Sequence, residues 1–380
     1  MGHPETLPSP ARRQRRLSAA TDFAVTFFVA TLLTTCAWKS IWILLDAAVF
    51  PNAARPSAWT SFTIGAVVVY MQTFMRDRLQ LYFFRGSAGA ARRLAARGVV
   101  VCLWIGVVSL WRGVFLLMDT DSGLSWFSYG MFAVAGFVVL AKLRFLNTCV
   151  ALPLGVDVDL PKTFFSFESP LDTTLSDDYH LRTMDAFLSV VLTCISTFLW
   201  RGLWGFFDKI VLPGDPPVST AISLGVGFVV CALSYAIQWP VVRWYRLLPF
   251  VPALTAHDLL ALFGLTGVIN VWRGVFLFFD VILPADMEPS LRLGSAAAVS
   301  VASVLLLMLF RMSKNLLLCG VQRDLIGPLP FNCRCLSRLL QAKSLISYVA
   351  PKPTARPIPI PGQMFVHIPR DIDGKPETLI

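Results

Sequence analysis

AWKSIWILLD (37–46), LWRGVFLLMD (110–119), LWRGLWGFFD (199–208) and VWRGVFLFFD (271–280) are four copies of one phrase, each inside a hydrophobic stretch. Every copy has a Trp at its second position (Trp38, Trp111, Trp200, Trp272) followed at once by a basic residue (Lys39, Arg112, Arg201, Arg273). An aromatic stands four residues after the Trp (Trp42, Phe115, Trp204, Phe276) and an Asp eight after it (Asp46, Asp119, Asp208, Asp280). A fixed internal spacing repeated along a chain marks one structural unit repeated, and it decides the fold.

On a helical wheel with the Trp at zero, the aromatic falls at about 40°, the Asp at about 80° and the cation at about 100°. These form one arc. Gly113, Gly202 and Gly274, with Ser40 in the first copy, fall at about 200°, where a small residue lets a neighbouring backbone approach. Cation and Asp are seven residues apart, roughly 10 Å along the axis, too far for a good ion pair within one helix. Each Asp also stands at the C-terminal end of its helix, where the dipole disfavours a negative charge. The spacing therefore predicts that the basic residue of one copy meets the Asp, or the turn carbonyls, of the next, closing a ring beneath the outer surface.

The surrounding composition is that of a membrane protein. The chain has 380 residues, 56% hydrophobic and 15% charged, with mean hydropathy +0.65; a soluble domain carries roughly 25% charged residues. Eight apolar stretches, near 23–45, 58–75, 98–118, 124–141, 185–207, 218–239, 258–280 and 294–311, are each long enough to cross a hydrocarbon core of roughly 30 Å. The basic RRQRR at 12–16 precedes a first stretch that is too long for a signal peptide and has no small-residue cleavage site. The reading is all-α: a polytopic bundle of eight transmembrane helices built from four parallel helical-hairpin repeats. Each hairpin turns at prolines such as Pro51, Pro213, Pro216, Pro217 and Pro284.

The formal charge of +10 follows membrane sidedness and is not a nucleic-acid footprint. Phrase-end loops hold only Arg55, Lys209 and Arg292, and the phrases hold four more cations, leaving 26 of the 33 Lys and Arg on the opposite side. The positive-inside rule then puts both termini in the cytoplasm, with membrane lipids as the surrounding partner. None of the eight Cys lies in a phrase-end loop, so no disulfide framework is indicated. Cys333 and Cys335 lie just past the last span, a context for reversible acylation.

Organisation follows from the spacing of the phrases. A basic N-terminus (1–22) precedes two hairpins (23–150), then a linker (151–184), two more hairpins (185–320) and a Pro-rich tail (321–380) that reads as disordered. The linker carries Asp157, Asp159, Glu168, Asp172, Asp177 and Asp178 among prolines and reads as a solvated cytoplasmic loop or a docking strip for a basic partner. Asp22, Asp185 and Asp258 precede their Trp by 16, 15 and 14 residues and are expected to cap helix N-termini. His3, His180, His257 and His367 have no metal-ligand spacing, and no phosphate loop or nucleophile–base pattern stands out. Neither a catalytic centre, a metal site nor a cofactor is expected.

The WRG copies with their trailing Asp, in an eight-span chain with both ends inside, resemble the Fuseless family of animal membrane proteins over about residues 22–320. That resemblance implies a plasma-membrane protein of neurons acting in transmitter release through presynaptic organisation of calcium channels, with presynaptic scaffold or calcium-channel proteins as partners. The alternative is a transporter or channel whose Arg/Asp ring lines an outward-facing cavity, with Gly264 and Gly267 as candidate helix breaks.

Overall fold

The computed structural model describes residues 20–85, 89–123, 125–173, 176, 178–318, 321–324, 330–333, 335 and 337–338. Eight long helices run through them: α1 Ala20–Ala48, with a π-helical stretch at Val25–Ala30, α2 Ala54–Phe84, α3 Ala90–Asp121, α4 Trp126–Leu143, α5 Tyr179–Ile210, α6 Pro216–Tyr245, α7 Phe250–Ile282 and α8 Pro289–Leu309. Seven are long and apolar enough to cross a membrane; α2, which carries Gln72, Arg76, Asp77 and Arg78, is not among them. No strand forms among the described residues, only an isolated bridge between Gly155 and Asn332.

Three of the four helix starts after phrase-end turns are capped by side chains; the start of α2, with Ala53 at its N-cap, is not. Asp215 accepts from Val218 N, Glu288 from Leu291 N, and Ser125 forms a reciprocal capping box with Ser128. Such caps satisfy amides that the first helical turn leaves unpaired. Pro216 and Pro289 follow the first two of these caps, where a missing N–H is harmless.

The odd-numbered helices carry the phrases and form the centre. Their apolar stretches are 44–72% buried, against 22–28% for α4, α6 and α8. The outer helices expose side chains such as Phe127, Val134, Val229, Val301 and Leu305. So much exposed apolar surface suits a lipid surround.

Pairing differs from the expected hairpins. The two helices joined by a phrase-end turn scarcely touch; instead α2 packs on α3, α4 on α5, α6 on α7, and α8 returns to α1. The glycines explain the choice. A methyl group at Gly113 would lie 2.4 Å from Phe62 N, and one at Gly65 would lie 2.1 Å from Leu110 N, so α2 and α3 meet backbone to backbone. Gly202 meets the Ala133 backbone of α4 in the same way, and Gly274 packs under the Leu224 side chain of α6. Each outer helix is thus clamped to the phrase helix that follows it, and α8 on α1 closes the circle.

The linker is not a solvated loop. Val150, Leu152, Leu154, Val156, Val158, Phe164, Phe165 and Phe167 are buried in the main core, together with Leu316, Val321, Phe331, Cys333 and Cys335 from beyond α8. Two matching 3₁₀ turns, Leu146–Cys149 after α4 and Ser313–Leu317 after α8, organise this layer. Asp324 accepts from Leu146 N (2.9 Å) and Asn147 N (2.7 Å), while Asp159 accepts from Ser313 N (3.2 Å) and Lys314 N (3.0 Å). Asp324 N donates to Arg144 O (2.7 Å) and Asp159 N to Arg311 O (2.8 Å). Each half of the chain therefore caps the turn of the other. Burial holds both carboxyls above the usual carboxylate range, Asp324 up to about 6.

Asp22, Asp185 and Asp258 do not cap their helices. Asp185 accepts from Ser169 Oγ, Leu171 N and Thr173 Oγ, and Asp258 pairs with Arg144 at 2.7 Å. Asp22 accepts from Ser337 N at 3.1 Å. The helices begin upstream of these residues, so the carboxylates are free to hold neighbouring segments. Cys333 and Cys335 are 1% and 0% exposed, a position at odds with acylation; burial raises the Cys333 thiol pKa further. Residues 1–19 and the Pro-rich segment after 350 lie outside the described residues.

Candidate functional site

The Trp residues at the second position of the four phrases meet at the centre of the bundle. Their ring centroids form a closed circuit: Trp38–Trp111 5.8 Å, Trp111–Trp200 5.3 Å, Trp200–Trp272 5.5 Å and Trp272–Trp38 5.4 Å, all edge to face. That arrangement is the one aromatic quadrupoles favour. Three of their indole nitrogens reach into the linker layer. Trp38 Nε1 donates to Leu316 O (3.0 Å), Trp200 Nε1 to Cys149 O (3.0 Å) and Trp272 Nε1 to Leu152 O (2.9 Å).

A second tier lies about 6 Å along the axis, one helical turn on. Trp42–Phe115, Phe115–Trp204, Trp204–Phe276 and Phe276–Trp42 close another circuit at 5.5, 6.3, 5.2 and 6.1 Å.

Around the second tier runs the ring of charges. Arg112 Nε meets Asp46 at 2.7 Å, Arg201 Nη2 meets Asp119 at 2.7 Å, Arg273 Nε meets Asp208 at 2.8 Å and Lys39 Nζ meets Asp280 at 2.6 Å. Each cation pairs with a carboxylate, not a turn carbonyl, and with that of the copy before it rather than the expected next one; Lys39 in the first copy pairs with the last. Spacing argued against contact within one helix, yet Arg201 Nη1 also lies 3.8 Å from Asp208 on its own helix. Its long side chain covers part of the axial separation.

Outer helices complete the coordination, and these partners were missed from the sequence. Arg112 donates to Ser61 (2.6 Å) and Ser57 (2.8 Å), and Arg273 to Ser223 (2.5 Å) and Ser219 (3.1 Å). Arg201 takes the Tyr129 hydroxyl at 3.0 Å and lies over that ring at 4.8 Å. The signal was present: Ser57/Ser61 and Ser219/Ser223 are serine pairs four apart in the first turns of α2 and α6, on one helix face. A guanidinium fork suits two hydroxyls plus a carboxylate, whereas the compact ammonium of Lys39 does not need them.

Above the Trp tier the four phrase helices enclose a cavity of about 260 Å³, lined by both aromatic tiers with Lys39, Arg201, Asp119, Asp208 and Asp280. Below it a smaller space of about 40 Å³ is lined by Gln72, Thr73, Glu168 and Ser196; Trp111 borders both. Gly264 and Gly267 lie in unbroken helix, packed against Phe331 and Cys231.

Neither curated proteins nor solved structures gave a match to the sequence. The family model described as Fuseless matches residues 17–317, which contain all four phrases, the linker and both 3₁₀ turns; by that match over most of its length, the chain belongs to the Fuseless family.

Proposed function

We propose that this protein is an eight-pass protein of the plasma membrane, both termini cytoplasmic, built from four equivalent repeats. In this reading it is not an enzyme. It serves synaptic transmission by organising presynaptic calcium channels, engaging channel or scaffold proteins through its cytoplasmic face. The observation that carries the scaffold reading is the closed circuit of ion pairs and Trp rings, which ties all four phrase helices into one body with no loose subunit. Stacked edge-to-face rings 5.3–5.8 Å apart at the centre suit a rigid platform better than an open conduit. The skew of basic residues toward the linker side supports the orientation.

Glycosylation-site tagging of the four phrase-end turns tests the topology, with all four expected to be modified. Deleting the gene in neurons and imaging presynaptic calcium channels tests the role: channel density should fall and return with the wild-type chain. Unchanged density with intact transmission would overturn it.

A second reading, a transporter or channel, is favoured by the cavity above the Trp tier and by Trp111, which borders both spaces. Solute or ion flux through purified protein in liposomes would decide for it.

A further inference from the structure

We propose that the aromatic cup at the phrase end of the bundle binds a small organic cation of the tertiary or quaternary ammonium class. The inference goes beyond the organiser reading, since a bound ligand need not be carried anywhere.

Three observations converge on this chemistry. The first is the wall. Trp42, Phe115, Trp204 and Phe276 ring the cavity and the four phrase Trp residues floor it. Aromatic faces carry negative quadrupole density that attracts a cation within about 6 Å of the ring.

The second is the division of charge by depth. The side chains of Lys39, Arg112, Arg201 and Arg273 are only 3–12% exposed, whereas those of their carboxylate partners are 30–48% exposed. Lys39 and Arg201 also line the cup but are each held by a carboxylate, and the better-exposed Asp119, Asp208 and Asp280 leave its lining with one more negative than positive charge. Each Asp is two residues from the end of its helix: 46 of 48, 119 of 121, 208 of 210 and 280 of 282. Four helix C-termini therefore converge there, and their dipoles add negative potential.

The third is Lys39. Its own ammonium lies 5.2 Å from the Phe276 centroid while held by Asp280. One quadrant of the cup already displays the interaction proposed for the ligand.

Size and hydration select the class. A cavity of about 260 Å³ admits a tetramethylammonium-sized group. A hydrated metal ion gains little from aromatic walls, and hard cations require several oxygen ligands, whereas these carboxylates are already paired. An alkylated ammonium gives up weakly held water, needs no inner-sphere oxygen, and gains from the ring faces and the nearby negative charge without breaking those pairs.

The test is a titration of the full chain in phosphatidylglycerol nanodiscs with tetramethylammonium chloride at constant ionic strength, read by Trp fluorescence. Six of the 11 Trp residues belong to the cup. A saturable response with Kd of about 1 mM or tighter is expected. Phe276→Leu and Asp280→Asn should each raise Kd about tenfold. Lys39→Gln should lower it, because it frees the Asp280 carboxylate and the Phe276 face together. The opposite signs of the two charge variants separate loss of binding from loss of folding. If the ligand in the cell is a lipid headgroup, phosphatidylcholine nanodiscs will compete and weaken the apparent affinity; if it is a free cation, they will not. Equal binding of the neutral isostere 3,3-dimethyl-1-butanol would overturn the proposal. So would binding of sulfate that Lys39→Gln abolishes, or no saturable response from folded wild-type protein.

Discussion

The Arg112–Asp46 link offers a sharp test of the ring, because its two partners lie in different surroundings. The Arg112 side chain is 3% exposed and donates to Asp46, Ser57 and Ser61; that of Asp46 is 48% exposed. Unit charges about 4 Å apart attract by about 4 kcal/mol at an effective dielectric near 20, and the half-exposed carboxylate reduces this to about 2 kcal/mol. Asp46→Asn leaves a buried guanidinium without its counter-charge and should destabilise by about 2–3 kcal/mol. Arg112→Met loses the pair and two hydroxyl bonds, about 2–4 kcal/mol. With the guanidinium gone, Asp46 faces solvent and needs no partner, so the double variant should resemble Arg112→Met alone. The expected coupling is about 2 kcal/mol, measured from unfolding free energies in bicelles by steric trapping. Additivity within about 0.5 kcal/mol would refute the claim that the ring is an energetic unit.

Gly113→Ala forces a methyl group to within 2.4 Å of Phe62 N, whereas Gly225 has nothing within 4 Å. The first should lower thermal stability by about 1–3 kcal/mol and the second should leave it unchanged or raise it, as followed by melting in detergent. Trp200→Phe removes the bond to the Cys149 carbonyl and should cost about 1 kcal/mol in the same assay. Asp324, held at about 6 by burial against about 3.9 when unfolded, binds its proton more strongly in the folded state. Its contribution is therefore full below pH 4 and lost as pH rises through 6, so stability should increase from pH 7.5 to 5, and Asp324→Asn should flatten that rise by about 1–2 kcal/mol. Acyl-exchange labelling of the cellular protein should find no lipid on Cys333 or Cys335, both buried.

The central architecture was legible because every phrase repeats the same chemistry at the same spacing. A wheel that places Trp, aromatic, Asp and cation on one arc and Gly opposite already implies a shared centre and a tight outer contact. Helix pairing was not legible: a short turn suggests a hairpin, but Gly65 and Gly113 favour the next helix over the one across the turn. Asp157, Asp159, Glu168 and Asp172 give the linker a solvated look, while the alternating apolar residues at 150, 152, 154, 156 and 158, the last two interleaved with Asp157 and Asp159, carry the signal of burial. A clue lay in Val156–Leu160 and Val321–Leu325, both of the form V-x-x-D-L, a pattern that repeats once per half and supplies the two reciprocal carboxylates.

That reciprocity bears on how the chain is made. While the ribosome is still working on the second half, Asp159 has nothing to hold, because Ser313 and Lys314 have not emerged, and the 3₁₀ turn after α4 waits equally for Asp324. The inner ring can close once α7 reaches α1 through Lys39–Asp280 and Trp38–Trp272, but the outer layer stays open until α8 packs on α1. A nascent product stopped before residue 289 would lack the helix that covers α1, and one stopped before residue 313 would leave the Asp159 carboxylate without the Ser313 and Lys314 amides it accepts from, marks by which quality-control proteases can recognise an unfinished chain.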